Sequence, residues 1–570
     1  MMRKIHIAAA LLLVSAAAGA QNLNPTVEVT NVYSSSAKDI TKPVQEMAVP
    51  DTVTQFNLKL DYSVFDSPYK GAYEFSPYQE EYAPFAVEET PGQFYLRTGI
   101  GYTLHPEFEA VWSPVLWDRV RLDVTARHNG FFGNYRGLKE QTRVKGGRDI
   151  VSLVWDGSAN SFGYDSVTGV GVKAQYPWEK GEAFFTADYT NLSERDYLIT
   201  RSLNGVRLGA GVRSVGMESF RYEATAAWNH WGDYGGHVSP YSLVEDKLDL
   251  GGLFAIPMRP GGEIFARVDF TMDLLKKDLP LTAGLLKMTP GYRFGLGDWY
   301  FDLGVRFDVY MGEARTPAHQ FVFPAAYVGY SFLDGNMTAY ASVTGGTDIH
   351  SYSDVVLGSH VFSPIHSTLP GSRLLDNSVE RIRAAIGLKG QVWRRFQYDL
   401  RVGYARVAND LLDGIVLKNP GDGTDLPFPL PGTGYAKPYH LAFADLDYAW
   451  VSDEVKVEGT FSFKKTDLKQ TQVFAPAAFS GVLRGSYTWN KRVTAGLTLD
   501  FSTSRTAKVT DETYYRIPGY ADLGIFGEYQ INSLVGVWLK LGNLLHSTQQ
   551  SIPLYTCGGT WFSAGATLTF

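Results

Sequence analysis

The chain ends on "TWFSAGATLTF", residues 560–570, and this stretch alternates strictly. Phe562, Ala564, Ala566, Leu568 and Phe570 fall on one face of an extended strand. Trp561, Ser563, Gly565, Thr567 and Thr569 fall on the other. A soluble sheet would bury the apolar face in a core, whereas a strand closing a barrel in lipid shows it to hydrocarbon. The preceding sequence decides between them.

From residue 93 onward the same period of two dominates. In "WYFDLGVRFDVYM", Trp299, Phe301, Leu303, Val305, Phe307 and Val309 alternate with Tyr300, Asp302, Gly304, Arg306 and Asp308. "RRFQYDLRVGYAR" sets Phe396, Tyr398, Leu400, Val402 and Tyr404 against Gln397, Asp399, Arg401 and Gly403. "GEIFARVDFTM" repeats the pattern with Ile264, Ala266, Val268, Phe270 and Met272. A helix would scatter these apolar side chains around its whole surface, so the segments are strands. Very short breaks, such as Leu296–Asp298, Asp334–Asn336 and Asn490–Arg492, alternate with long polar segments: 130–163, 191–203, 230–241, 273–282, 347–377, 409–438, 466–481, 504–517 and 547–559. Two strictly sorted classes of connection are the mark of an outer-membrane barrel. The expected fold is all-β, a large antiparallel transmembrane barrel of about 22 strands over residues 93–570. Both termini are expected on the periplasmic side, with short turns there and long loops outside. Trp117, Trp178, Trp299, Trp393, Trp450 and Trp489 fall at or beside short turns, where an interfacial girdle belongs.

Composition agrees with this placement. There are 34 Tyr, 33 Phe, 12 Trp and 58 Gly, and no apolar run after the N-terminus reaches the length of a spanning helix. The start, "MMRKIHIAAALLLVSAAAGAQ", orders a charged pair (Arg3, Lys4), a short apolar run and Ala18-Gly19-Ala20, which is the layout of a secretory signal peptide over residues 1–20. One cysteine, Cys557, gives no internal disulfide, and a net charge of −7 argues against a nucleic-acid partner.

The closing hairpin resembles that of TonB-dependent receptors. The resemblance rests on "LKLGNLL" (Leu539–Leu545), a loop with Tyr555 and Gly559, and a terminal strand ending in Phe570. It implies a plugged outer-membrane barrel that admits a solute, and an assembly signal in Phe562, Leu568 and Phe570 read by the barrel-assembly machinery. The family carries a plug of well over a hundred residues, whereas here only Gln21–Gly92 precedes the first strand. This segment is expected to lie in the periplasm or the lumen without forming a full plug. Within it "NPTVEVTNVY" resembles the short box by which such receptors engage TonB, with Thr26, Val27, Glu28 and Val29 pairing as an added strand.

Enzymatic signatures are missing: no G-x-S-x-G, H-E-x-x-H or G-K-[ST] occurs. His350, His360 and His366 share one long segment, and Asp410, Asp413, Asp422 and Asp425 cluster around glycine turns. Either set offers metal ligands, but solvated loop and turn chemistry is the plainer account. No cofactor is expected. The expectation is a non-enzymatic protein of a Gram-negative outer membrane, in contact with its lipid, that mediates solute uptake. The alternative is a structural or assembly subunit whose lumen is filled by a partner protein.

Overall fold

The computed structural model describes residues 93–570 apart from 103, 115–119, 196–198, 216–219, 237–239, 259–260, 313–319, 361, 363–373, 394, 419–424 and 551–558. The signal-peptide reading, the segment 21–92 with Thr26–Val29, and Trp117, His366, Asp422 and Tyr555 lie outside the described residues.

Twenty-two strands, each antiparallel to its neighbours, close into one barrel. The first, Phe94–Tyr102, pairs on one side with Glu107–Trp112 and on the other with the last, Trp561–Thr569. Registers from Tyr95↔Thr569 to Tyr102↔Phe562 close the ring, and Phe94 and Phe570 exchange backbone hydrogen bonds of 2.8 and 3.0 Å below them. In lipid this closure is obligatory, because an open edge would leave a row of N–H and C=O groups without partners.

The alternation sorts the two faces. Val305 and Leu400 are 42% and 43% exposed on the outer wall, whereas Asp308 and Asp399 are 1% and 5% exposed on the inner. The outer wall is apolar and the inner wall polar, as a bilayer outside and a hydrated lumen inside require. Arg306 and Arg401 point inward, to Asp308 (2.8 Å) and Asp445 (3.2 Å). Trp299, Trp393 and Trp489 are exposed beside short turns, and Trp299 packs on Tyr330 with ring centroids 4.9 Å apart. No helix among the described residues is long and apolar enough to cross a membrane.

Several of the long polar segments, 130–163 and 409–438 above all, carry strand, which corrects their reading as loops, whereas 347–377 and 466–481 hold few strand residues. Residues 130–163 continue Arg121–Lys145 and Arg148–Trp178, which meet at Gly146-Gly147 with φ of 62° and 73°. Beyond the bilayer both faces of a strand meet water, so alternation stops where the strand does not. Four connections were not among the breaks read from the sequence. They follow Tyr102, Trp112, Met258 and Gly312. Two further hairpins, Leu411–Lys418 with Asp425–Tyr435 and Arg505–Lys508 with Thr513–Ile517, belong to the long-loop end. The second of them pairs in parallel with Asp149–Ser152.

A direct test of the outer wall is Val305→Arg. At mid-bilayer it should cost about 2–4 kcal/mol, read as a lower urea midpoint of protein reconstituted in vesicles. Arg267→Ala, on the inner wall and without an ion-pair partner among the described residues, should leave the midpoint unchanged.

Candidate functional site

At the long-loop end, the described part of the segment between Met337–Ile349 and Asn377–Val392, residues 350–360, 362 and 374–376, lies against the inner wall. It carries a helix, Tyr352–Gly358, capped by Ser351, whose hydroxyl accepts from the Asp354 N–H. We call it the strap. It lies on the inner faces of Thr200–Ser214, Arg221–Gly235, Tyr241–Met258 and Gly262–Lys277. On these strands the outward residues include Val206, Trp228, Leu248 and Phe254, so the opposite parity, Arg201, Leu203, Asp233, Leu243, Glu245 and Leu275, faces the lumen.

Arg201 is the anchor of the strap and is fully buried. Its Nε donates to Asp233 Oδ2 (3.1 Å) and to the Tyr241 hydroxyl (3.2 Å), and Nη2 also donates to Tyr241 (2.9 Å). Nη1 and Nη2 reach the strap carbonyls of His360 and Phe362. Tyr352 donates its hydroxyl to Asp233 from the helix, and Tyr241 does so from the wall at 3.2 Å. One guanidinium thus ties a wall carboxylate to two carbonyls of the strap, a use suited to its planar set of donors.

Glu245 holds the other end of the helix. Its carboxylate accepts from the backbone N–H of Tyr352 (2.6 Å) and of Ser353 (3.1 Å). The first N–H groups of a helix have no partner inside it, and a carboxylate there satisfies them. Beneath these polar ties, Leu203, Leu243, Leu275, Ala283, Val356, Phe362, Leu374 and Leu375 form an apolar cluster. Tyr310 and Tyr435 hold the far end of the strap, donating to the carbonyls of Leu375 (2.8 Å) and Asp376 (2.9 Å). Burial and the Asp233 carboxylate push the Tyr352 phenol well above its ordinary range, so it stays a donor.

The long-loop hairpins interlock beside the strap. The Ile415 N–H donates to Gln472 O (2.9 Å), the Gln472 N–H to Lys508 O (2.7 Å) and the Phe474 N–H to Asp413 O (2.9 Å). Leu153, Ile415, Phe474, Ala507 and Ile517 pack within this assembly.

The sequence-level metal candidates are not brought together. His350 Nε2 lies 3.0 Å from Ser378 Oγ, and His360 Nδ1 lies 2.8 Å from Asp165. Asp410 accepts from Tyr439, and Asp413 pairs with Arg505 at 2.7 Å. Asp425 opens the second strand of its hairpin. Among the described residues no group of three or more His, Cys, Asp or Glu converges as metal ligands do. Of the closing residues, Phe562 and Phe570 are exposed on the outer wall, stacked on Tyr102 and packed on Phe94, with Leu568 on the same face. Sequence reading passed over Arg201, Asp233, Tyr241, Glu245 and Tyr352. The available signal was a charge at the lumen-facing parity close to a strand end, but this barrel has many such charges.

His350 makes docking of the strap sensitive to acid. Burial pushes its pKa down, against the weaker upward pull of Asp410, Asp348 and Asp354. An undocked strap therefore takes up the proton first, and docking weakens as pH falls below the ordinary value of about 6.5. Asp410 opposes this, since burial raises its pKa and protonation favours the packed form. Protection of the Tyr352–Gly358 amides, taken relative to their intrinsic exchange rates, should fall between pH 7 and pH 5 in the native protein. In His350→Gln that fall should disappear.

No protein-family model and no curated protein matches the sequence. The fold does match solved structures. The siderophore receptor PirA from Acinetobacter baumannii aligns with a TM-score of 0.60 at 8% identity, over 84% of this chain and 80% of that one. The FrpB iron transporter from Neisseria meningitidis gives 0.62 at 9%, over 85% and 82%. The copper transporter OprC gives 0.58 at 12%, over 85% and 81%. At such identities the likeness is one of fold, and the fold is the one the closing hairpin resembles: a closed 22-strand barrel of the TonB-dependent-receptor type.

Proposed function

We propose that this barrel is a receptor-like transporter of the outer membrane, taking a solute from the long-loop side to the short-turn side. The observation that carries the reading is the strap, a segment held to the inner wall by the buried Arg201–Asp233 pair at one mouth of a polar-lined barrel. Twenty-two-stranded outer-membrane transporters enclose a plugged lumen, and the similar structures are named as a siderophore receptor, an iron transporter and a copper transporter.

On this reading the short turns are periplasmic, and so are both chain termini. Gln21–Gly92 enters the lumen from the short-turn end, where Phe94 begins the first strand. Its tyrosines and phenylalanines, Tyr62, Phe65, Tyr69, Tyr73, Phe75 and Tyr78 among them, are too many for a tail that stays in water. Thr26–Val29 would add as a strand to TonB, and Phe562, Leu568 and Phe570 serve the barrel-assembly machinery.

Single-channel conductance before and after deleting Val53–Gly92 tests the reading. A closed full-length protein that opens on deletion is the expected result. Two closed forms, or two freely conducting forms, would remove the segment from the lumen and with it the gated-transport reading.

A further inference from the structure

The outer wall changes character at its long-loop edge, and it does so differently on two arcs of the barrel. On one arc, His230, Asp246 and Lys276 face outward just above the apolar surface. Asp246 neutralises Lys276, with its carboxylate 2.6 Å from Lys276 Nζ, and lies 2.7 Å from His230 Nδ1. On the other arc, Arg406, His440 and Lys465 face outward from the adjacent strands Phe396–Ala408, Tyr439–Val451 and Val455–Thr466. Arg406 stands opposite His440 in register, and Lys465 stands opposite Ala442, the next outward residue on the strand of His440. All three are exposed.

No carboxylate pairs with Arg406, His440 or Lys465 among the described residues. The nearest acid in sequence, Asp467, accepts from the His440 backbone N–H at 2.7 Å. The Tyr404 hydroxyl bonds His440 Nδ1, which ties the exposed ring to the strand of Arg406. Directly below, Tyr404, Phe463 and Phe479 are exposed on the same wall. Arg406 lies ten residues beyond Phe396, which is roughly 33 Å along the strand and roughly 25 Å along the membrane normal at a tilt of about 40°. That equals the height of the apolar band of such a barrel, so Arg406 and Lys465 stand at headgroup level with the His440 ring between them.

We propose that Arg406, His440 and Lys465 form a site on the outer wall for the phosphate of a membrane lipid, whose acyl chains lie along Tyr404, Phe463 and Phe479. Unpaired cations at headgroup level attract anionic headgroups, and a guanidinium presents two parallel donors to a phosphate. That this lipid belongs to the outer leaflet rests on the orientation proposed above; the site itself does not.

The probe is diphosphoryl lipid A, a minor component in phosphatidylcholine nanodiscs holding the full-length protein. Lipid retained after exchange is counted by native mass spectrometry. Arg406→Gln combined with Lys465→Gln should lower retention about 25-fold, about fivefold for each cation removed. Lys276→Gln, which removes a cation already neutralised by Asp246, should retain lipid as the native protein does. Heat-modifiable migration confirms that each variant is a folded barrel. Unchanged retention in the double variant, or an equal loss in Lys276→Gln, would overturn the site. An epitope inserted at Gly146-Gly147 and probed on whole cells reports separately which leaflet faces the long-loop end.

Discussion

Asp233→Ala should free the strap while leaving the barrel standing. The substitution strands Arg201 in a fully buried position, and removing one partner of a buried ion pair costs about 3–5 kcal/mol. Tyr352 and Tyr241 lose an acceptor at the same time. The barrel wall does not depend on these groups, since the register from Arg201↔Gly235 to Arg213↔Glu223 is carried by backbone hydrogen bonds. The cost therefore falls on strap docking, and the docking equilibrium should shift by between about two and four orders of magnitude at 1.4 kcal/mol per tenfold. The measurement is hydrogen exchange at Tyr352–Gly358, with heat-modifiable migration unchanged. Replacing both charges by apolar groups, as in Arg201→Met with Asp233→Leu, should cost far less, because no buried charge remains unpaired. If the single and double variants exchange alike, the ion pair does not hold the strap.

The barrel was legible because lipid imposes its pattern on every strand. Val305 and Leu400 had to alternate with Arg306 and Arg401 whatever the barrel's function, and a period of two survives without any knowledge of the partner strands. The strand ends above the bilayer were not legible. Around Lys139–Arg148 the strands continue in water, and no face has a reason to be apolar. The strap was hidden for a different reason. Arg201 and Asp233 lie in different strands, and Tyr352 is more than a hundred residues further on. Each alone looks like an ordinary lumen charge or loop aromatic. Only registers that set Arg201 opposite Gly235, and Gly235 in turn opposite Tyr241, bring the wall half of the anchor together.

The closing seam allows the most severe single substitution. Trp538, 4% exposed, lies on the inner wall across Gly565 and Gly99, with the Arg97 guanidinium 4.4 Å from its ring centroid. A Cβ on Gly565 would lie 1.9 Å from Thr98 O and 2.6 Å from Trp538 Cζ2. The first contact is backbone against backbone within the Tyr95–Tyr102 register, so the last strand cannot accept a side chain there and still pair with the first. Overpacking alone costs about 1–3 kcal/mol, but an unpaired edge in lipid costs several kcal/mol for each group left bare. Gly565→Val should therefore abolish outer-membrane accumulation, whereas Gly485→Val, whose nearest neighbours stand 4.0 Å away, should accumulate normally. Trp538→Ala should not rescue Gly565→Val, because the Thr98 carbonyl stays in place. The same change should partly rescue Gly99→Ala, where the Trp538 ring at 2.3 Å is met before the Ala564 carbonyl at 2.8 Å. Rescue of both by Trp538→Ala would place the obstruction in the ring and leave the seam backbone free to shift.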